Sequence, residues 1–168
     1  MKPPTIVLIF LILLAVAQTA YFAPQLPERA ASHFDGAGNP DGWSTRSGLL
    51  LVYWFAVGAC LLTALVMGRI IGVVPIRLIN LPNKEYWLGP QRRDETLRYF
   101  QTAFAWFGAS TLTLLLIVFQ LVFMANLTSR PQLPGVPMYT VVVVYAAFSL
   151  AWTMRLIWHF SRNAERAA

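Results

Sequence analysis

The densest group of side chains that could do chemistry lies between Leu26 and Arg46: Ser32, His33, Asp35 and Asp41, with Phe34, Trp43 and Arg46 around them. A histidine with two carboxylates has the ligand types of a zinc site. Structural zinc wants four ligands, and no fourth stands between or just after these three. An EF-hand loop starting at Asp35 would need Asp or Asn third, Gly sixth and Glu twelfth; those positions are Ala37, Pro40 and Arg46. A Ser32/His33/Asp35 hydrolase fails because neighbours on a strand point to opposite faces, and no nucleophile elbow is present. The histidine and acids are most simply read as making turn hydrogen bonds. No catalytic residue, metal or cofactor is expected. Asn39-Pro40-Asp41-Gly42 reads as a tight turn with proline at its second position. Phe34 and Trp43 flank it, placed to pack on each other or on a lipid surface. The segment is expected to form a small ordered cap, with room for a two-stranded hairpin.

The elements that carry this segment are set by four stretches without a charged residue, Pro3 to Pro27, Ser47 to Gly68, Tyr99 to Ser129 and Pro131 to Met154. A hydrocarbon layer about 30 Å thick takes roughly 20 apolar helical residues to cross, and each run suffices. The expected fold class is all-α: one polytopic membrane domain, a four-helix transmembrane bundle. Its spans lie at about 5–23, 49–68, 100–126 and 138–156, with an outer loop over 24–48 and a cytoplasmic loop over 69–99. Lys2 with Ala15-Val16-Ala17 also fits a cleaved secretory signal. The uncharged run continues past Tyr21, so a retained anchor is the reading taken.

The 168 residues carry a net charge of +6, yet nucleic acid is not the expected partner, because the cations fall between the apolar runs. Lys2, six cations from Arg69 to Arg98, and Arg155, Arg162 and Arg166 make ten in alternate segments; Arg29, Arg46 and Arg130 make three in the others. The positive-inside rule then puts both termini and the second loop in the cytoplasm. The short basic tail suits anionic lipid.

Within the four uncharged stretches there is no Asp, Glu, Lys, Arg or His, which argues against an ion-coupled transporter or pump and leaves a passive pore open. Gln18 and Gln120 are expected to hydrogen-bond a neighbouring helix. Ala56, Cys60, Ala64, Gly68 and Gly72 recur every four residues. Such a stripe lets helix backbones approach closely, here against the first or third span rather than in a homodimer. Cys60, the only cysteine, has no partner for an intrachain disulfide. In the second loop, Asn83, Lys84, Tyr86 and Trp87 are expected to anchor at the membrane interface or to dock a partner. Asp94 and Glu95 suit the first turn of the third spanning helix, and Asp94 can pair with Arg98.

At the first loop, Pro27, His33-Phe34, Asp35, Gly38, Pro40-Asp41-Gly42 and Arg46 resemble the signature of the bacterial SdpI-like membrane proteins. That signature is a proline, then His-Phe/Trp-Asn, a Gly, an Asp and a basic residue just after the first span. The likeness covers the first third of the chain, and Asn83-Lys84-Glu85-Tyr86-Trp87 looks like a segment of proteins carrying the same domain. Asp35 departs from the family's Asn, and four spans are fewer than its immunity proteins have. The resemblance implies a non-enzymatic protein of the bacterial inner membrane, sensing or giving immunity to an extracytoplasmic peptide. His33, Phe34, Asp35, Asp41, Trp43 and Arg46 would form the binding surface. The alternative is an accessory subunit of a larger membrane complex, using the small-residue stripe and the Tyr86-Trp87 loop.

Overall fold

A computed structural model describes residues 3–165, and of residues 162–165 only the backbone. Lys2 and Arg166, which enter the charge balance above, lie outside the described residues. In chain order the elements are α1 (Pro3–Phe22), a hairpin of β1 (Arg29–Phe34) and β2 (Pro40–Thr45), α2 (Arg46–Ile70), a 3-10 turn (Ile76–Leu78), α3 (Lys84–Trp87), α4 (Arg93–Asn126) and α5 (Gly135–Glu165). Four helices, α1, α2, α4 and α5, are long and apolar enough to cross a membrane. The fold is mostly helical, and the two-stranded hairpin for which the first loop had room is present as an antiparallel sheet of β1 and β2.

Local chemistry explains the boundaries. Prolines at positions 3 and 4 preset the helical φ at the start of α1, where no amide hydrogen bond is lost. Thr45 caps α2 by accepting from the Gly48 amide at 3.1 Å, so this helix starts at Arg46 rather than at 49. Asp94 and Glu95 occupy the first turn of α4, but Asp94 and Arg98 form no ion pair. At 34 residues, α4 is about 51 Å long. It must project beyond a hydrocarbon core of about 30 Å.

The central element is α4, which packs on α1, α2, α5 and β1. Its approach to α2 uses the small-residue stripe. A Cβ on Gly108 would sit 2.3 Å from the Ala64 Cβ, and one on Gly68 would sit 2.5 Å from the Gln101 Cα. Ala64 and Gly68 are buried there, and Cys60 packs partly buried against the core. The stripe therefore serves contact within the chain over its Ala64–Gly68 part. Ala56 and Gly72 are only half-buried.

One polar cluster ties three helices together. Gln18 of α1 donates to Gln120 Oε1 at 2.8 Å and to the Leu116 carbonyl at 3.1 Å, both on α4. The buried Tyr53 hydroxyl of α2 donates to Gln18 Oε1 at 2.8 Å. The glutamines thus bond a neighbouring helix as expected; Tyr53 is an addition. Helix α5 lies to the side, its apolar span unburied. It meets α4 where Trp152 packs on Phe107, centroids 4.6 Å apart, and where Tyr145 and Thr111 hydroxyls bond at 2.6 Å.

Interhelical hydrogen bonds in membranes average about 0.6 kcal/mol, whereas overpacking a tight contact costs about 1–3 kcal/mol. Gly108→Val should therefore destabilise the bundle by about 3 kcal/mol, and Gln18→Leu by about 1–2 kcal/mol. Unfolding in detergent micelles measures both, and the opposite ranking would show that polar ties rather than close approach dominate.

Candidate functional site

The hairpin at one end of the bundle gathers the residues singled out in the sequence, but not as one cluster. Its tight turn spans residues 35–38, ahead of the expected Asn39–Gly42. The Asp35 carboxylate accepts from the Ala37 and Asn39 amides at 2.9 and 2.8 Å, and its second oxygen accepts from Asn39 Nδ2 at 3.2 Å. The Gly38 amide donates to the Asp35 carbonyl at 3.0 Å, and Gly38 takes φ +83°. Aspartate captures free turn amides in this way, while Pro40, lacking an N–H, is tolerated as the first residue of β2. The Asn39 amide bond, then the Asn39 side chain, hold the Asp35 carboxyl below its ordinary value of 3.8.

Two register slips shape the hairpin. Arg29, Ala30 and Ala31 pair with Thr45, Ser44 and Trp43; His33 then pairs with Gly42, and Phe34 with Pro40. Ser32 and Asp41 are each the extra residue of one slip. His33 Nδ1 contacts Asp41 Oδ1, and the two side chains are 74% and 48% exposed. Trp43 lies opposite Ala31, so of its two expected placements, packing on Phe34 or on a lipid surface, it does not take the first. Instead the Arg29 guanidinium covers its ring at 5.0 Å, and Phe34 packs inward against the core. Arg46 bonds Glu28 at 3.1 Å, leaving its Nε buried without a partner. Because Glu28 is 86% exposed, that pair contributes at most about 1 kcal/mol.

Three contacts fix the hairpin on the bundle. Asn126, at the end of α4 and 3% exposed, accepts from the Ala31 amide at 2.6 Å and donates to the Ala31 carbonyl at 2.9 Å. Its carboxamide thereby fills the strand edge as a third strand would. The Gly38 carbonyl accepts from the Leu133 amide at 2.9 Å. A Cβ on Gly38 would lie 2.3 Å from the Leu133 carbonyl oxygen, so only glycine fits. Tyr139 of α5 donates its hydroxyl to the Gly36 carbonyl at 2.6 Å. Sequence reasoning missed Asn126, Tyr139 and Tyr53. The only local signal was a strongly polar residue ending an apolar run at Asn126.

At the other end, Asn83, Lys84, Tyr86 and Trp87 are largely engaged by the chain itself. Trp87 Nε1 donates to the Phe160 carbonyl at 2.9 Å and its ring stacks on His159; Asn83 reaches the Phe160 and Ser161 carbonyls at 3.4 Å. Lys84 donates to the Arg77 carbonyl at 3.3 Å, and Tyr86 lies under Arg92 at 4.2 Å. These residues lock the second loop onto α5 and α4, where Thr96 donates to the Trp87 carbonyl at 2.8 Å. Asn83 remains exposed, and Lys84, Tyr86 and Trp87 are half-buried. Among the described residues, no three His, Cys, Asp or Glu side chains converge as a metal site would require.

Asn126→Leu strands a buried amide and carbonyl at Ala31, a loss of about 1–3 kcal/mol for each unsatisfied group. Hydrogen exchange should speed up at the Ala31 amide with α2 and α4 still protected; unchanged protection would place the anchor elsewhere. The lowered Asp35 pKa gives a sign for pH. The turn stabilisation is complete above 3.8 and is lost as the pH falls through the folded value. Exchange at the Ala37 and Asn39 amides should accelerate over that acid range, and Asp35→Asn should remove the acid dependence.

Residues 9–57 match the family model of a domain of unknown function, DUF1648. No curated protein and no solved structure matches the chain. The matched stretch runs from within α1, through the hairpin, into α2 as far as the buried Val57. It therefore includes Gln18 and Tyr53 of the polar cluster and the whole hairpin from Arg29 to Thr45.

Proposed function

We propose that this is a non-enzymatic multi-pass protein of a bacterial cytoplasmic membrane whose hairpin recognises a peptide outside the cell. Both termini and the 69–99 segment lie on the cytoplasmic side in this reading, supported by the ten-to-three distribution of Lys and Arg and the positive-inside rule. The observation that carries recognition is the hairpin's combination of exposure and fixation. His33, Asp41 and Trp43 are exposed, while Asn126, Leu133 and Tyr139 hold the strand and turn beneath them. A surface ordered before binding avoids the entropy cost that a loose loop would meet on contact. Aromatic and charged side chains on such a surface are the types that dominate binding energy.

The resemblance of His33-Phe34…Gly38…Asp41 to SdpI-like proteins adds that the peptide would be a secreted killing peptide and the outcome immunity or a relayed signal. The subunit alternative is less supported, because Ala64, Gly68 and Trp87 are occupied within the chain.

Cells carrying Trp43→Ala or His33→Ala should lose about tenfold or more in protection when challenged with supernatant from a producing strain, with the membrane level of the protein unchanged. Wild-type protection by both variants would sink this reading.

A further inference from the structure

A groove of about 610 Å³ opens on the side of the bundle where α1 and α5 both flank α4. Val7 of α1, Trp106, Ser110 and Thr113 of α4, and Trp152 and Arg155 of α5 line it. Its size falls within the range of about 300–1,000 Å³ typical of ligand pockets. Its length along α4, from Tyr99 to Thr113, is about 21 Å at 1.5 Å per residue. One leaflet of a bilayer contributes about 15 Å of hydrocarbon, so the groove reaches from the headgroup layer to the bilayer centre.

The chemistry of its walls changes along that length. Three of its hydroxyls donate inward to their own helix, Thr102 to the Arg98 carbonyl at 3.0 Å, Ser110 to Phe107 at 2.7 Å and Thr113 to Ala109 at 2.9 Å. These three hydroxyls are satisfied within α4 and make no demand for water, so the aliphatic and ring surfaces around them accept hydrocarbon. At the mouth stands Arg155, 20 residues beyond Gly135 on α5 and thus about 30 Å along it, one hydrocarbon thickness. No carboxylate pairs with Arg155 among the described residues.

We propose that this groove binds one anionic phospholipid of the surrounding membrane, its acyl chain against Trp106, Ser110 and Trp152 and its phosphate on the Arg155 guanidinium. A basic pocket between helices at the headgroup level recognises anionic lipid, and aromatic rings at that depth suit the same interface. The inference requires the helices to lie in a bilayer, but it is independent of the peptide reading and of sidedness.

Native mass spectrometry of the full chain, released from detergent micelles doped with phosphatidylglycerol and phosphatidylcholine of identical acyl chains, tests it. One phosphatidylglycerol should be retained in preference to phosphatidylcholine. Arg155→Gln should reduce that preference about fivefold, the worth of one arginine near the headgroups. Ser110→Trp, filling the groove at mid-depth, should reduce retention of both lipids, with circular dichroism confirming unchanged helix content. Equal retention of the two lipids by wild type, an unaltered preference in Arg155→Gln, undiminished retention in Ser110→Trp, or a lipid-free dimer occupying the groove would each overturn the proposal.

Discussion

In a hydrocarbon solvent no hydrophobic force draws helices together, because lipid tails are as apolar as leucine. Association must come from close backbone contact and from polar groups with nowhere else to bond. The structure meets this constraint through α4. Gly108 against Ala64, and Gly68 against Gln101, bring two backbones into contact, so dispersion acts over many atom pairs at once. The Gln18–Gln120–Tyr53 cluster then fixes rotation and depth, which contact between smooth surfaces alone leaves loose. Both devices fail together if α4 turns on its axis, since one helix presents both faces.

The same solvent governs the hairpin. A two-stranded sheet is marginal by itself, and its edges carry unpaired amides and carbonyls. Asn126 completes the inner edge with one side chain, bonding both backbone groups of Ala31. The Leu133 amide does the same for the turn. The polar demand of the strand edge is met by residues of α4 and the following loop, which is why the hairpin sits on α4 although it lies in sequence between α1 and α2. Asp35 meets the remaining demand within the turn itself. An asparagine oxygen at that position would accept the same two amides, so the departure from the SdpI-like pattern leaves the backbone of the turn in place.

The four spans were legible because absence of charge over 20 residues is a local property, and the helix ends followed from prolines and caps. The inward turn of Gln18 and Gln120 was legible for a similar reason, since an amide in an apolar run has few solutions. What stayed hidden depends on pairs distant in the chain. Asn126 reads as the end of a helix until Ala31, 95 residues away, is placed beside it. Tyr53 reads as an interior aromatic until Gln18 arrives. Trp87 has the residue type of an interfacial anchor, and nothing local signals that the Phe160 carbonyl will take its indole N–H. The misplaced turn had another cause: proline at the second position of Asn39–Gly42 fits a turn and a strand start equally well, and the carboxylate of Asp35 decided between them.

The two register slips carry a consequence for how the hairpin tolerates change in length. Each shifts the parity of side chains by one, and the second cancels the first, so Phe34–Pro40 returns to the phase of Ala31–Trp43. Loss of Ser32 alone, or of Asp41 alone, would leave one shift uncancelled and turn every residue beyond it to the opposite face. Loss of both would restore the phase and a shorter, regular hairpin, but without the carboxylate that meets His33. The pair is thus a two-residue insertion divided between strands, and a deletion that removes both residues also removes the hairpin's exposed polar contact.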